Sequence, residues 1–328
     1  MSNLEKAPPE LRVQSSTTAE RPPVSVVDPR EVPLGGPRAM TVRRTLPLRE
    51  RSFIGGWCFV DHYGPDPVAE TGGMVVPPHP HTGLQTVSWL FTGEVEHRDS
   101  AGNHAMVRPG ELNLMTAGRG IAHSEVSTPQ TDLLHGVQLW VALPERHRFT
   151  EPGFVHHVPE PVTGHGYRAR VFLGEALGSR SPVATYSPLL GAELLLDPGA
   201  TVEIAVEAGF EHGVLVDLGA VEVDGAATAR GQLAYLAPGL TSLTLTAGGE
   251  PARVVLLGGE PLGETIVMWW NFVARSHDEV VAFRANYQAG IGAEAGGDDP
   301  GQFGEVTGGD LAPLPAPELP NARLRPRR

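Results

Sequence analysis

The sequence predicts an all-β protein made of two β-barrels in tandem, followed by one helix near the C-terminus. Three observations carry this. Glycine and proline are abundant, 40 and 31 of 328 residues, yet hydrophobic residues reach 41% and charged residues only 19%, which leaves enough apolar material for a core. The apolar runs are short and separated by turn chemistry such as Ser100-Ala101-Gly102-Asn103, Pro109-Gly110, Asp224-Gly225 and Pro238-Gly239, the spacing of sandwiches and barrels. The two halves also echo each other. Gly93-Glu94-Val95-Glu96 returns as Gly219-Ala220-Val221-Glu222, and Val107-Arg108-Pro109-Gly110 then Thr116-Ala117-Gly118 returns as Leu236-Ala237-Pro238-Gly239 then Thr246-Ala247-Gly248. Echoes in a common order argue for a duplicated unit.

Taken in order, residues 1–36 are polar and proline-rich and read as a flexible leader without a core of its own. Residues 37–150 form the first barrel, with strands expected at 84–91, 94–98, 104–108, 112–115 and 136–143. A looser connection covers 144–168. The second barrel takes residues 151–275, with strands at 193–196, 202–206, 214–218, 233–236 and 254–257. Ser276-His277-Asp278-Glu279 has a capping-box pattern, and Val280, Phe283 and Tyr287 recur at helical spacing. A helix over 277–289, within a 276–290 unit, is therefore expected to lie against a barrel, with Arg284 and Asn286 facing water. Residues 291–328 read as an extended or disordered tail.

Composition excludes several classes. A net charge of −13 argues against nucleic acid as a ligand, because phosphate neutralisation needs clustered cations. The one basic cluster, Arg323, Arg325, Arg327 and Arg328, reads as a solvated tail. A lone cysteine, Cys58, forms no internal disulfide and no multi-cysteine zinc site. No apolar secretory segment and no run long enough to span a membrane is visible, so a cytoplasmic location is expected.

Two short motifs carry the chemistry. His79-Pro80-His81 and His123-Ser124-Glu125 each place two ligand types at positions i and i+2, which share one face of an extended chain. Brought together on neighbouring strands, they offer three imidazoles and one carboxylate, a donor set suited to Fe(II), Mn, Ni, Cu or Zn. Either motif alone is more often an ordinary polar edge. Pro77, Pro78 and Pro80 place the first pair where a loop enters a strand at a barrel mouth. Counting by twos from His81 then puts Gly83, Gln85, Val87, Trp89 and Phe91 inside the barrel, with Gln85 close to the metal without coordinating it. The remaining histidines, His97 among them, read as surface or hydrogen-bonded core residues.

Phe59-Val60-Asp61-His62, the stretch from Pro78-His79-Pro80-His81 to Thr86-Val87, Met115 to Glu125, and His135 to Val141 together resemble the signatures of the pirin family. Gly174 to Gly178 and Leu196 to Ala200 are similar as well, so the likeness spans about residues 40–285. It implies a bicupin, two jelly-roll-like cupin barrels in tandem, with one mononuclear metal, usually iron, in the first. It also implies that the ligands are His79, His81, His123 and Glu125, and that the second barrel, holding only His212 near the equivalent positions, carries no metal. Position 85 departs from the pattern, with Gln where pirins commonly carry Glu.

Some pirins are quercetin 2,3-dioxygenases, so the resemblance implies a metal-dependent opening of a flavonol-type aromatic substrate by dioxygen. Glu125 would then serve as the catalytic base. Other pirins act through protein partners, which implies the alternative of a metal- or redox-sensing regulatory protein without turnover.

Overall fold

Leucine-rich and β-branched runs form antiparallel strands throughout residues 24–34, 40–48 and 51–327, which the computed structural model describes. The first twelve strands are β1 (Ser25–Val27), β2 (Arg30–Leu34), β3 (Met40–Leu46), β4 (Trp57–Pro67), β5 (Val75–His81) and β6 (Leu84–Thr92), then β7 (Val95–Asp99), β8 (His104–Val107), β9 (Leu112–Thr116), β10 (Ile121–Ser127), β11 (Leu133–Ala142) and β12 (Gly153–His157). In the first domain a seven-stranded sheet, β12-β9-β6-β11-β4-β3-β2, faces a four-stranded sheet, β5-β10-β7-β8.

The second domain repeats this order strand for strand. Its larger sheet runs β1, Leu233–Leu236, Glu211–Leu218, Ala252–Gly259, Leu189–Leu196, Tyr167–Leu173, Val162–Gly164. Its smaller one runs Thr201–Ala205, Ser242–Ala247, Ala220–Val223, Ala226–Ala229. Duplication is therefore real, but only one sequence echo falls in phase. Gly93 and Gly219 both precede equivalent strands. Pro109-Gly110 precedes β9, however, whereas Pro238-Gly239 follows the counterpart of β9.

Three expectations need correction. Neither domain is a closed barrel; each is a pair of facing sheets. Glycine corners such as Gly83 (φ +67°) and Gly93 (φ +92°) carry the chain from one sheet to the other and interrupt the hydrogen-bond ladder there. Secondly, the expected leader is not wholly without structure. β1 pairs with Leu233–Leu236 of the second domain and β2 pairs with β3 of the first, while residues 1–23 and 35–36 lie outside the described residues. The connection after residue 150 likewise supplies β12, the edge strand beside β9. Each domain thus receives its outermost strand from sequence the periodicity left unassigned.

Thirdly, the tail is extended but packed. The helix His277–Gly290 is capped by Ser276, whose hydroxyl accepts from the Glu279 N–H at 3.2 Å. Val280, Phe283 and Tyr287 face the first domain, as their spacing predicts. Phe303 and Ala316 of the tail close over the same cluster. Asn286, expected in water, is covered by this arm and donates to Gln302 at 2.8 Å.

The larger sheets of the two domains pack face to face. Trp57, Val87, Trp89 and Leu139 meet Phe172, Leu215 and Val255 in one apolar cluster, and the Trp89 indole N–H donates to Glu193 across the interface at 3.1 Å. At the rim, Asp217 of the second domain accepts from His62 at 2.7 Å and His135 at 2.5 Å through Oδ1, and from Arg253 at 2.9 Å through Oδ2. These hydrogen bonds hold the Asp217 carboxyl well below the usual carboxylate range although burial opposes ionisation. Removing the anion leaves the buried imidazoles of His62 and His135 without their acceptor and the half-buried Arg253 with Glu193 alone. We expect Asp217→Ala to lower the unfolding free energy by about 3–5 kcal/mol, read as a shift of the urea midpoint, whereas removing the exposed carboxylate of Glu175 should cost under about 1 kcal/mol.

Candidate metal centre

β5 and β10 pair antiparallel, with His79 directly opposite His123 and His81 opposite Ile121. On its other side β10 pairs with β7, which sets Asp99 opposite His123 and His97 opposite Glu125. β5 is the edge strand of its sheet, so Pro77, Pro78 and Pro80 need no outward N–H partners. His79, His81 and His123 accordingly gather their ligand atoms at one interior point.

Among the described residues, three groups of titratable side chains bring ligand atoms within 4.8 Å of one another. The first is His79, His81 and His123, all completely buried. The second, His97, His123 and Glu125, shares His123 with the first. The third is the interdomain cluster of His62, His135 and Asp217. There Arg253 pairs with Asp217, while Arg43 contacts His62 and Arg230 donates to the Asp217 carbonyl. Three guanidiniums make that cluster a poor host for a divalent cation, and hydrogen bonding satisfies it.

The first group is built otherwise. Burial, reinforced by neighbouring imidazoles, pushes the pKa of His79, His81 and His123 well below the usual value, so all three are neutral, the form that binds metals. His79 turns Nδ1 toward the Pro77 carbonyl at 2.9 Å and leaves Nε2 buried without a partner. His81 turns Nδ1 toward the Asn271 carbonyl at 3.2 Å, and its Nε2 lies 3.1 Å from Nε2 of His123. Two nitrogens each about 2.1 Å from one ion at right angles stand about 3.0 Å apart. An unpartnered nitrogen, two others at ligand spacing and two outward nitrogens held by carbonyls fit a metal ion.

Glu125, two residues along the same strand from His123, is gathered with His123 and His97 rather than with His79 and His81, and its Oε1 lies 3.1 Å from the Ser88 hydroxyl. The walls are Trp140, edge-on to His81 at 5.1 Å, and Phe59 stacked on Trp140 at 4.0 Å. The arm forms the roof. The Leu314 N–H donates to the Pro78 carbonyl at 2.8 Å, the Tyr287 hydroxyl to the same carbonyl at 3.2 Å, and the Ala122 N–H to the Phe303 carbonyl at 3.1 Å.

Counting by twos past His81 picks the wrong face. Gly83 adopts a left-handed φ of +67°, and a Cβ there would meet the Val273 carbonyl oxygen at 2.3 Å. Alternation is broken at that residue, so Val87 and Trp89 face the second domain. Gln85 donates to Thr116 at 2.9 Å beside an interdomain groove that Tyr186 also lines. Ser88, of opposite parity, is the strand β6 residue that reaches Glu125. The Gln at position 85 therefore does not touch the candidate site. His97 is the residue the sequence reading missed. Its only signal was the i, i+2 pair His97-x-Asp99, which becomes informative once β7 is placed beside β10.

Two duplicated double-sheet domains, the first presenting inward imidazoles from paired strands, define a two-domain cupin protein. Residues 39–141 match the Pirin family and residues 191–292 the Pirin C-terminal cupin domain. The chain is 42% identical over 296 residues, 90% of each chain, to a Pseudomonas aeruginosa protein provisionally named quercetin 2,3-dioxygenase. It is 39% identical to a pirin-like protein of Caulobacter vibrioides, over 81% of this chain and 93% of that one. The crystal structure of a quercetin 2,3-dioxygenase from Acinetobacter baumannii superposes with a TM-score of 0.84 at 35% identity, covering 92% of this chain and 97% of that one. The chain belongs to the pirin family.

In the second domain His212 occupies Glu211–Leu218, buried, with neither ring nitrogen partnered. Burial alone pushes its pKa from 6.5 down to about 4. Its stabilising contribution is complete above pH 6.5 and is lost as pH falls toward 4, because the unfolded chain takes up the proton first. We expect wild type to lose about 3 kcal/mol more than His212→Leu between pH 7.5 and 4, measured as the difference between their urea midpoints at the two pH values.

Proposed function

We propose that the chain is a mononuclear metal-dependent dioxygenase that opens a flavonol of the quercetin type, with the metal, most simply Fe(II), held by His79, His81, His123 and Glu125. The observation that carries the reading is the cluster of three buried, neutral imidazoles whose ligand nitrogens lie within 4.8 Å of one another. The names borne by the Pseudomonas and Acinetobacter relatives support the substrate class.

A bound metal supplies Lewis acidity toward the substrate's hydroxy-ketone oxygens and a place for dioxygen to react. The protein's part follows from its own groups. Glu125, on the strand that carries His123, would accept the proton of the substrate hydroxyl, with the Ser88 hydroxyl holding its Oε1 in place for that transfer. Trp140 and Phe59 offer a flat apolar wall for a planar ring. The roof of Leu314, Tyr287 and Phe303 excludes water while the ring is cut. Both atoms of dioxygen enter the product and one ring carbon leaves as carbon monoxide.

A second reading is favoured by one observation: the imidazoles are completely buried, and the C-terminal arm bonds to the strands that carry them. A covered metal whose charge changes with oxidation state suits a sensor that acts on a protein partner without turnover. One experiment separates the readings. Iron-loaded protein incubated aerobically with quercetin should consume it and release carbon monoxide, and His81→Ala should lose both the metal and the gas. Metal bound stoichiometrically with no quercetin consumed and no carbon monoxide released, under iron, manganese, nickel or copper, would remove the dioxygenase reading and leave the sensor.

A further inference from the structure

We propose that Asp99 and His97 are positioning residues that fix the tautomer of His123, so that its Nε2 carries the lone pair toward the metal. The inference rests on the reading of His79, His81 and His123 as metal ligands and assigns a task to two residues outside that set.

The argument is one of hydrogen-bond polarity. Nδ1 of His123 lies 3.3 Å from Nδ1 of His97, and Nε2 of His97 lies 3.3 Å from Oδ2 of Asp99. A carboxylate only accepts, so the hydrogen bond to Asp99 places a proton on Nε2 of His97. In the relay Nδ1 of His97 accepts and Nδ1 of His123 donates across their 3.3 Å contact. That arrangement leaves Nε2 of His123 unprotonated. That nitrogen is the one 3.1 Å from Nε2 of His81. The carboxylate thus sets the tautomer two imidazoles away.

The relay is anchored at both ends. Oδ1 of Asp99 accepts from the backbone N–H groups of Ala101 and Asn103, at 3.0 and 2.9 Å, and the Asn103 amide donates to both carboxylate oxygens. Phe154 lies against His97 with ring centroids 4.8 Å apart, which holds the plane of its ring. Strand register places Asp99 opposite His123 and His97 opposite Glu125. The same contacts argue against His97 as a ligand in its own right, since both its nitrogens are already engaged.

Asp99→Asn is the informative variant. Its single oxygen is claimed by the backbone N–H groups of the turn, so its NH₂ faces His97 and reverses every hydrogen bond in the relay. His123 would then carry its proton on Nε2, pointing at the metal. The test uses the full chain, stripped of metal and titrated with Co(II) against a competing chelator, together with ¹⁵N NMR of the metal-free imidazoles. Wild type should show His123 protonated on Nδ1. Asp99→Asn should show it on Nε2 and should bind Co(II) about 10–100-fold more weakly, as should His97→Phe. His97→Asn, whose Oδ1 can stand in for Nδ1 as acceptor, should recover most of the affinity. His81→Ala tests the ligand reading separately: if it binds Co(II) as wild type does, the triad itself is wrong. If His81→Ala loses the metal while Asp99→Asn and His97→Phe keep wild-type affinity, or if wild-type His123 carries its proton on Nε2, the relay is overturned.

Discussion

Pairing of β5 with β10 is the constraint on which the first domain depends. It sets His79 across from His123, with the extra residue of its irregularity on β5 between Val76 and His79, while the regular pairing of β10 with β7 keeps His123 and Glu125 on one face. A slip of one residue would send every one of these side chains to the opposite face. Much of the surrounding structure holds that register. β5 sits at a sheet edge, where three prolines cost no ladder hydrogen bond, and the arm beyond the helix covers that edge by bonding to the Pro78 carbonyl. Gly83 then ends the strand by leaving extended backbone altogether.

The two domains share one topology and use it differently. The interior of the second is a continuous aliphatic cluster of Val, Leu, Ile and Ala, with His212 as a buried polar exception. The first devotes its interior to imidazoles, Glu125, Ser88 and Gln138, groups that cost free energy to bury unless each finds a partner. What the first domain lacks in apolar packing around its polar site it recovers at its back, where Trp57 and Trp89 pack on the second domain, and at its mouth, where the arm packs. Asp217 and its partners tie the same interface with charge. The second domain acts as support for the first.

The two candidate metal motifs were legible because i, i+2 spacing in an extended chain is a local property. So were the helix, through Ser276 and the Val280, Phe283, Tyr287 stripe, and the strands between clear turns. A local rule does not survive an interruption of the strand. Gly83 breaks the alternation, so Val87 and Trp89 belong to the domain interface rather than to the face of His81. Two of the sequence echoes were matched on turn residues, which recur in any glycine-rich β chain, and they fell one strand out of phase. β1 and β12 carry no fully buried residue, so alternation leaves little signal for either edge strand.

By itself the sequence determined the all-β duplicated architecture and the two motifs from which a metal site can be assembled, because these follow from alternation, turn chemistry and short spacings; the family was legible through the resemblance of those motifs to known signatures. Only the tertiary structure decided which strands lie side by side. That pairing brings the motifs together, sets His97 and Asp99 behind His123, turns Gln85 away and lays the arm over the site. Contacts between residues dozens of positions apart are chosen by the packing of whole sheets, and no local pattern in the chain records that choice.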